Sequence, residues 1–186
     1  MENTTSQQQL ALISEMISQA KSSVGKGGSS QILMWGWVIA TANFGHYILD
    51  QIGYYAPFIV WFIVFPAILA SVYMGRKTRS SGTSSHLDRL YGRIWLGVGI
   101  SILLTLMMMQ ELNGFHNPVI MATAAIGMFI TGSMLKYRPV MYGAFILWAA
   151  AVIEWQLPLE HHYLVSGIAV TIGYLIPGYL LKRSEK

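Results

Sequence analysis

Residues 112–135 read LNGFHNPVIMATAAIGMFITGSML, a stretch without one formal charge, and Lys136 and Arg138 follow at once. At 1.5 Å rise per residue, about 20 apolar residues cross the roughly 30 Å hydrocarbon core of a bilayer. This stretch therefore has the length of a transmembrane helix with a basic anchor at its end. Uncharged runs of the same kind occupy residues 27–49, 51–75, 94–110, 139–153 and 161–181. Together they predict an all-α polytopic membrane protein, a bundle of six transmembrane helices over about 31–49, 55–75, 91–110, 118–135, 139–156 and 162–181. The fifth is the least regular, because Glu154 sits near its end and Pro158 soon follows.

Composition leads to the same class. Of 186 residues, 54% are hydrophobic and 11% charged, and mean hydropathy is +0.48. A soluble domain carries about a quarter charged residues, so a water-facing surface could not be covered here. The absence of cysteine excludes disulfides, thiolate metal ligands and cysteine nucleophiles.

Charge placement tests the number of spans. Lys21 and Lys26 precede the first, Arg76, Lys77, Arg79, Arg89 and Arg93 separate the second from the third, Lys136 and Arg138 the fourth from the fifth, and Lys182, Arg183 and Lys186 close the chain. These are all 12 Lys and Arg. Six spans, arranged as three hairpins, put every one of them on the same side, and the positive-inside rule makes that side the cytoplasm. Both termini are then cytoplasmic; removing the fifth span would carry the last cluster across. Trp35, Trp37, Tyr91, Trp95 and Tyr179 fall near the inner interface and Tyr54, Tyr55, Trp155 and Tyr163 near the outer one, where amphipathic rings settle.

Three regions follow: a cytoplasmic amphipathic helix and linker over 1–30, a transmembrane domain over 31–181 and a cytoplasmic tail over 182–186. In the first, Ser6 and Gln9 have capping-box spacing, and Leu10, Ile13, Ile17, Ala20 and Val24 form a helical stripe that ends at the Gly-rich stretch 25–30. Such a helix lies on the lipid surface or docks a second copy or a partner protein. The Ser-rich basic connector 75–90 includes His86 and reads as a topology determinant. Pro57, Pro118 and His162 each stand twenty residues before a basic residue, a weak sign of three duplicated hairpins. Small residues four apart (Gly97 and Ser101; Thr123, Gly127 and Thr131; Ala169 and Gly173) predict close helix packing. Pro66 and the Pro177–Gly178 pair predict bends.

The runs LISEMISQAK (12–21), ILMWGWVIATANFGHYIL (32–49) and GYLIPGYLLK (173–182) resemble a group of small uncharacterised bacterial six-helix integral membrane proteins. The resemblance implies the topology and a bacterial inner membrane, and carries no activity.

Chemistry concentrates at the outer end. Asp50, Glu111, Glu154 and Glu160, with His46, His116, His161 and His162, fall there or at adjacent helix ends. Asn43, His46 and Asp50 share one helical stripe, and a His and a carboxylate four residues apart can hold one divalent ion. A candidate zinc site would draw on His46, Asp50, Glu154 and His161, and a binding site on Asn43, His46, Asp50 and Glu154. His46 and Glu154 stand out because an ionisable group inside a span is costly. Ser101 and Ser166 have no evident base nearby, which argues against a serine hydrolase. No lysine lies within a span to form a Schiff base, no phosphate-binding motif is present, and the basicity belongs to the inner loops rather than to nucleic-acid binding. Three function classes remain: a structural, sensory or regulatory membrane protein; a small cation or solute transporter; and a membrane-embedded metal-dependent hydrolase.

Overall fold

A computed structural model describes residues 28–80 and 86–184. The expected amphipathic N-terminal helix lies outside the described residues. Helix α1 (Gly28–Gln51) is followed by a 3-10 segment, Pro57–Ile63, that leads into α2 (Val64–Ser80). Then come α3 (His86–Met107), α4 (His116–Leu135), α5 (Arg138–Glu154) and a composite α6 (Leu159–Ser184). No strand occurs among the described residues. Five helices are long and apolar enough to cross a membrane: α1, Pro57–Arg76, Arg89–Met107, α4 and α6. Helix α5, of 17 residues, extends about 25 Å and is not among these five.

The helix bounds differ from the sequence reading in a consistent direction. Gly28–Ser30, expected as linker, already belong to α1, and the connector 75–90 is helical at both ends, since α2 continues to Ser80 and α3 starts at His86. Without a turn-forming proline or a left-handed position, these polar segments continue the helix they adjoin.

Prolines mark changes of helix type. Pro66 stands in the first turn of α2, inside the continuous helix Pro57–Arg76 and directly after its seven residues of 3-10 helix. Pro177 acts from within α6. It cannot donate to the carbonyl of Gly173, and its ring crowds that carbonyl. The five residues just before, Thr171–Leu175, form a π-helical turn inside α6.

The core lies between α4, α5 and α6, where Ala125, Met128, Val140, Ala144 and Leu147 are fully enclosed. Two glycine contacts bring these helices together. A Cβ on Gly132 would stand 2.6 Å from the backbone nitrogen of Met141, at the tight turn where Lys136 takes a left-handed conformation (φ 51°). A Cβ on Gly143 would stand only 2.1 Å from the Gly173 carbonyl oxygen, so α5 and α6 cross backbone to backbone at the π turn. Small residues thus replace the hydrophobic incentive that lipid removes. Gly127 serves α3 likewise, by accepting Val98 and Trp95. Gly97 and Ser101 do not take part in packing: nothing lies within 4 Å of a Cβ at Gly97, and Ser101 is exposed.

Helix α1 lies on α6 through Gly36 against Leu175, Leu33 against Gly178 and Phe44 against Gly167. Helix α2 lies on α1, where Gln31 donates to the Ser71 carbonyl (3.1 Å) and accepts from the Ser71 hydroxyl (2.9 Å). These contacts define two ends. The start of α1 meets the end of α4 (Gly28 near Leu135) and the end of α6, so Arg76, Arg89, Arg93, Lys136, Arg138, Lys182 and Arg183 share one end. His46, Asp50, His116, Glu154, His161 and His162 share the other.

Candidate functional site

At the histidine-bearing end, three buried side chains from three helices form a hydrogen-bonded chain. The Ser166 hydroxyl on α6 donates to Glu154 Oε1 at the end of α5 (2.5 Å), and Asn117 Nδ2, in the first turn of α4, donates to Ser166 Oγ (2.9 Å). A hydroxyl has one proton. With that proton given to Glu154, the Ser166 oxygen is left to accept, which fixes the amide nitrogen of Asn117 toward it. Glu154 is 0% exposed, Ser166 1% and Asn117 5%. Among the described residues the second carboxyl oxygen, Glu154 Oε2, is buried without a partner.

The local sequence explains the convergence. His162 and Ser166 are one turn apart on α6, so both face inward. Asn117 precedes Pro118 at the start of α4, where backbone amides need no intrahelical acceptor. Glu154 closes α5, and the turn after it is held by His162 Nε2 at 3.1 Å from the Leu157 carbonyl. With Nε2 engaged there, His162 Nδ1 is buried without a partner among the described residues. Phe115 covers this imidazole edge-on at 5.5 Å and packs against Trp155 at 5.3 Å, so that rings cover the histidine-bearing end.

A second group adjoins the first. The Trp61 indole N–H donates to His46 Nδ1 (3.0 Å), which leaves the proton of a neutral imidazole on Nε2. The His46 ring stacks on Tyr163 at 3.7 Å, and the Tyr163 hydroxyl lies 3.4 Å from His116 Nε2. His116 is within electrostatic reach of both His46 and His162, as Asp50 is of His46 and Tyr163. Polar groups from α1, α4, α5 and α6 thus form one belt.

The expected site residues separate within this belt. His46 and Asp50 stay together at its edge, with Asp50 exposed. Glu154 turns to Ser166 and Asn117 rather than to His46. His161 pairs at the surface with Glu160 (3.5 Å). Asn43, 2% exposed, donates to its own helix at the Ile39 carbonyl (2.9 Å), and its Oδ1 has no partner. Among the described residues no three His, Asp or Glu side chains gather as a metal ion would need. Ser166 has the carboxylate neighbour that its sequence context did not reveal, since Glu154 reaches it from another helix. Asn117, Trp61 and Tyr163 were not anticipated. The one available signal was the spacing of His162 and Ser166 opposite a glutamate at the end of the preceding span.

In comparisons with known proteins, the chain matches no family model, no curated protein and no solved structure.

Proposed function

We propose that this chain is a sensory or regulatory membrane protein of six spans in a bacterial inner membrane, with both termini cytoplasmic and the polar belt at the outer end as its responsive element. Charge segregation supports the orientation, because all described Lys and Arg share the end opposite the belt. Helix α5 then crosses between α4 and α6, with Glu154 near its outer end.

One observation carries the choice among the three classes: beneath the belt the interior is filled. Met128, Val140, Ala144 and Leu147 are fully buried, and the backbones of α5 and α6 touch at Gly143 and Gly173. A transporter needs a polar route to the midplane. Thr105 and Thr123 instead return their hydroxyls to the carbonyls of Ser101 (2.9 Å) and Val119 (2.8 Å) on their own helices. A metal hydrolase needs three or more ligands around one ion, and among the described residues no three His, Asp or Glu side chains of the belt gather around one point. A lipid bilayer is the medium, and a second copy or a protein bound through the N-terminal segment is the output this reading favours.

The test is flux. In proteoliposomes oriented by an impermeant label on the single cysteine of Ser184→Cys, proton and sodium flux should match empty vesicles. Cation flux that Glu154→Gln abolishes would replace this reading with the transporter.

A further inference from the structure

The chain Asn117–Ser166–Glu154 has more acceptors than donors. The Ser166 hydroxyl proton and one N–H of the Asn117 amide are engaged along the chain, and both point the same way, toward the carboxyl group. What remains is Glu154 Oε2, fully buried and unpartnered, with the bare His162 Nδ1 on the neighbouring helix. A buried carboxylate with one hydrogen bond and no counter-charge is strongly disfavoured.

No fixed cation can supply that charge. Every described Lys and Arg is at the opposite end of the bundle. From α4 the titratable group at this end is His116, and from α6 they are His162 and Tyr163. Helix α1 adds His46 and Asp50, and the flanking turns add Glu111, Glu160 and His161. Apart from the histidines, all of these are neutral or acidic, and the acids draw cations to this end. The balancing charge must therefore come from solution.

We propose that Glu154 Oε2, backed by Ser166 and Asn117, is a binding site for one monovalent cation, a proton or an alkali-metal ion, taken up from the histidine-bearing end. The site is built for a single charge: one carboxyl group, one unpartnered carboxyl oxygen and a neutral relay behind it. This names the ligand of the sensory reading above, and depends on that reading only for what binding is used for.

Infrared difference spectroscopy on the full-length protein in lipid vesicles distinguishes the two sources. If the ion is a proton, the acid-minus-alkaline spectrum contains a protonated-carboxyl C=O band that Glu154→Gln removes and Asp50→Asn, Glu111→Gln and Glu160→Gln leave in place. If it is an alkali ion, the same band appears at fixed pH when sodium is exchanged for choline. Ser166→Ala keeps the carboxyl group but removes its donor, so the band should persist at a shifted frequency; this variant also covers a failure of Glu154→Gln to fold. A spectrum in which neither pH nor sodium produces a band sensitive to Glu154 or Ser166 overturns the proposal. Because the band reports binding and the vesicle experiment reports flux, failure of one is distinguishable from failure of the other.

Discussion

Helices α4 and α6, the helix Pro57–Arg76 and helix α3 all contain a stretch apolar enough to cross a membrane, yet they are packed in opposite ways. More than half of the apolar window of α6 is buried (56%), and 39% of that of α4, against 6% for each window in Pro57–Arg76 and α3. Hydropathy does not account for this, since the window within Pro57–Arg76 is the most apolar of the five. The difference lies in small residues. The α4–α6 core has Gly132, Gly143 and Gly173 at its contacts, whereas α2 and α3 expose Phe65, Leu69, Leu103 and Leu104 outward, as lipid-facing helices do. Apolar character suits a helix to a bilayer; small residues that face a neighbouring helix let it pack into the bundle core.

The sharpest way to break this contrast is Gly143→Val. Even the first carbon of the side chain would stand 2.1 Å from the Gly173 oxygen, a backbone atom that no rotamer change can move. Overpacking of a tight core typically costs about 1–3 kcal/mol, and here the obstacle is backbone, so a loss of about 3 kcal/mol is expected. The measurement is the unfolding midpoint in detergent. A near-wild-type midpoint would mean that α5 and α6 do not cross here.

That crossing also marks the limit of what the sequence could convey. Five of the six expected spans were legible as helices long and apolar enough to cross a membrane, because charge is excluded from lipid over a fixed length, a constraint that acts residue by residue. The acidic, histidine-bearing end was legible for the same reason, and Glu154 with it. Its partners were not. Ser166 and Asn117 are unremarkable residues in their own helices, and they become a site only because α4, α5 and α6 converge, which no local pattern encodes. The Gly97 and Ser101 pair shows the converse: the spacing is right for packing, but it points away from the neighbour, and Val98, one residue on, makes the contact with Gly127. The π turn was likewise hidden, although Pro177 gave its approximate place.

A smaller effect sharpens how α3 is held. The Trp95 indole donates to the Thr131 hydroxyl (3.1 Å), which itself donates to the Gly127 carbonyl (2.8 Å). Interhelical hydrogen bonds in membrane proteins average about 0.6 kcal/mol in double-mutant cycles. Thr131→Val combined with Trp95→Phe should therefore give a coupling energy of about 0.6 kcal/mol in the same unfolding assay. A value near zero would leave Val98 against Gly127 as the main attachment of α3.

Gly97→Ala is expected to do least, and its sign is informative. Glycine is about 0.8–1 kcal/mol less favourable than alanine inside a helix, a figure from water in which part of the cost is backbone exposure that lipid alters. Nothing stands within 4 Å of the added methyl group, so no packing term opposes the gain. The midpoint should stay level or rise by no more than that amount. Were it to fall by as much as Gly143→Val lowers it, the exposed face of α3 would be covered by another chain in the folded assembly. The smallest substitution of the series therefore tests whether α3 meets lipid or protein.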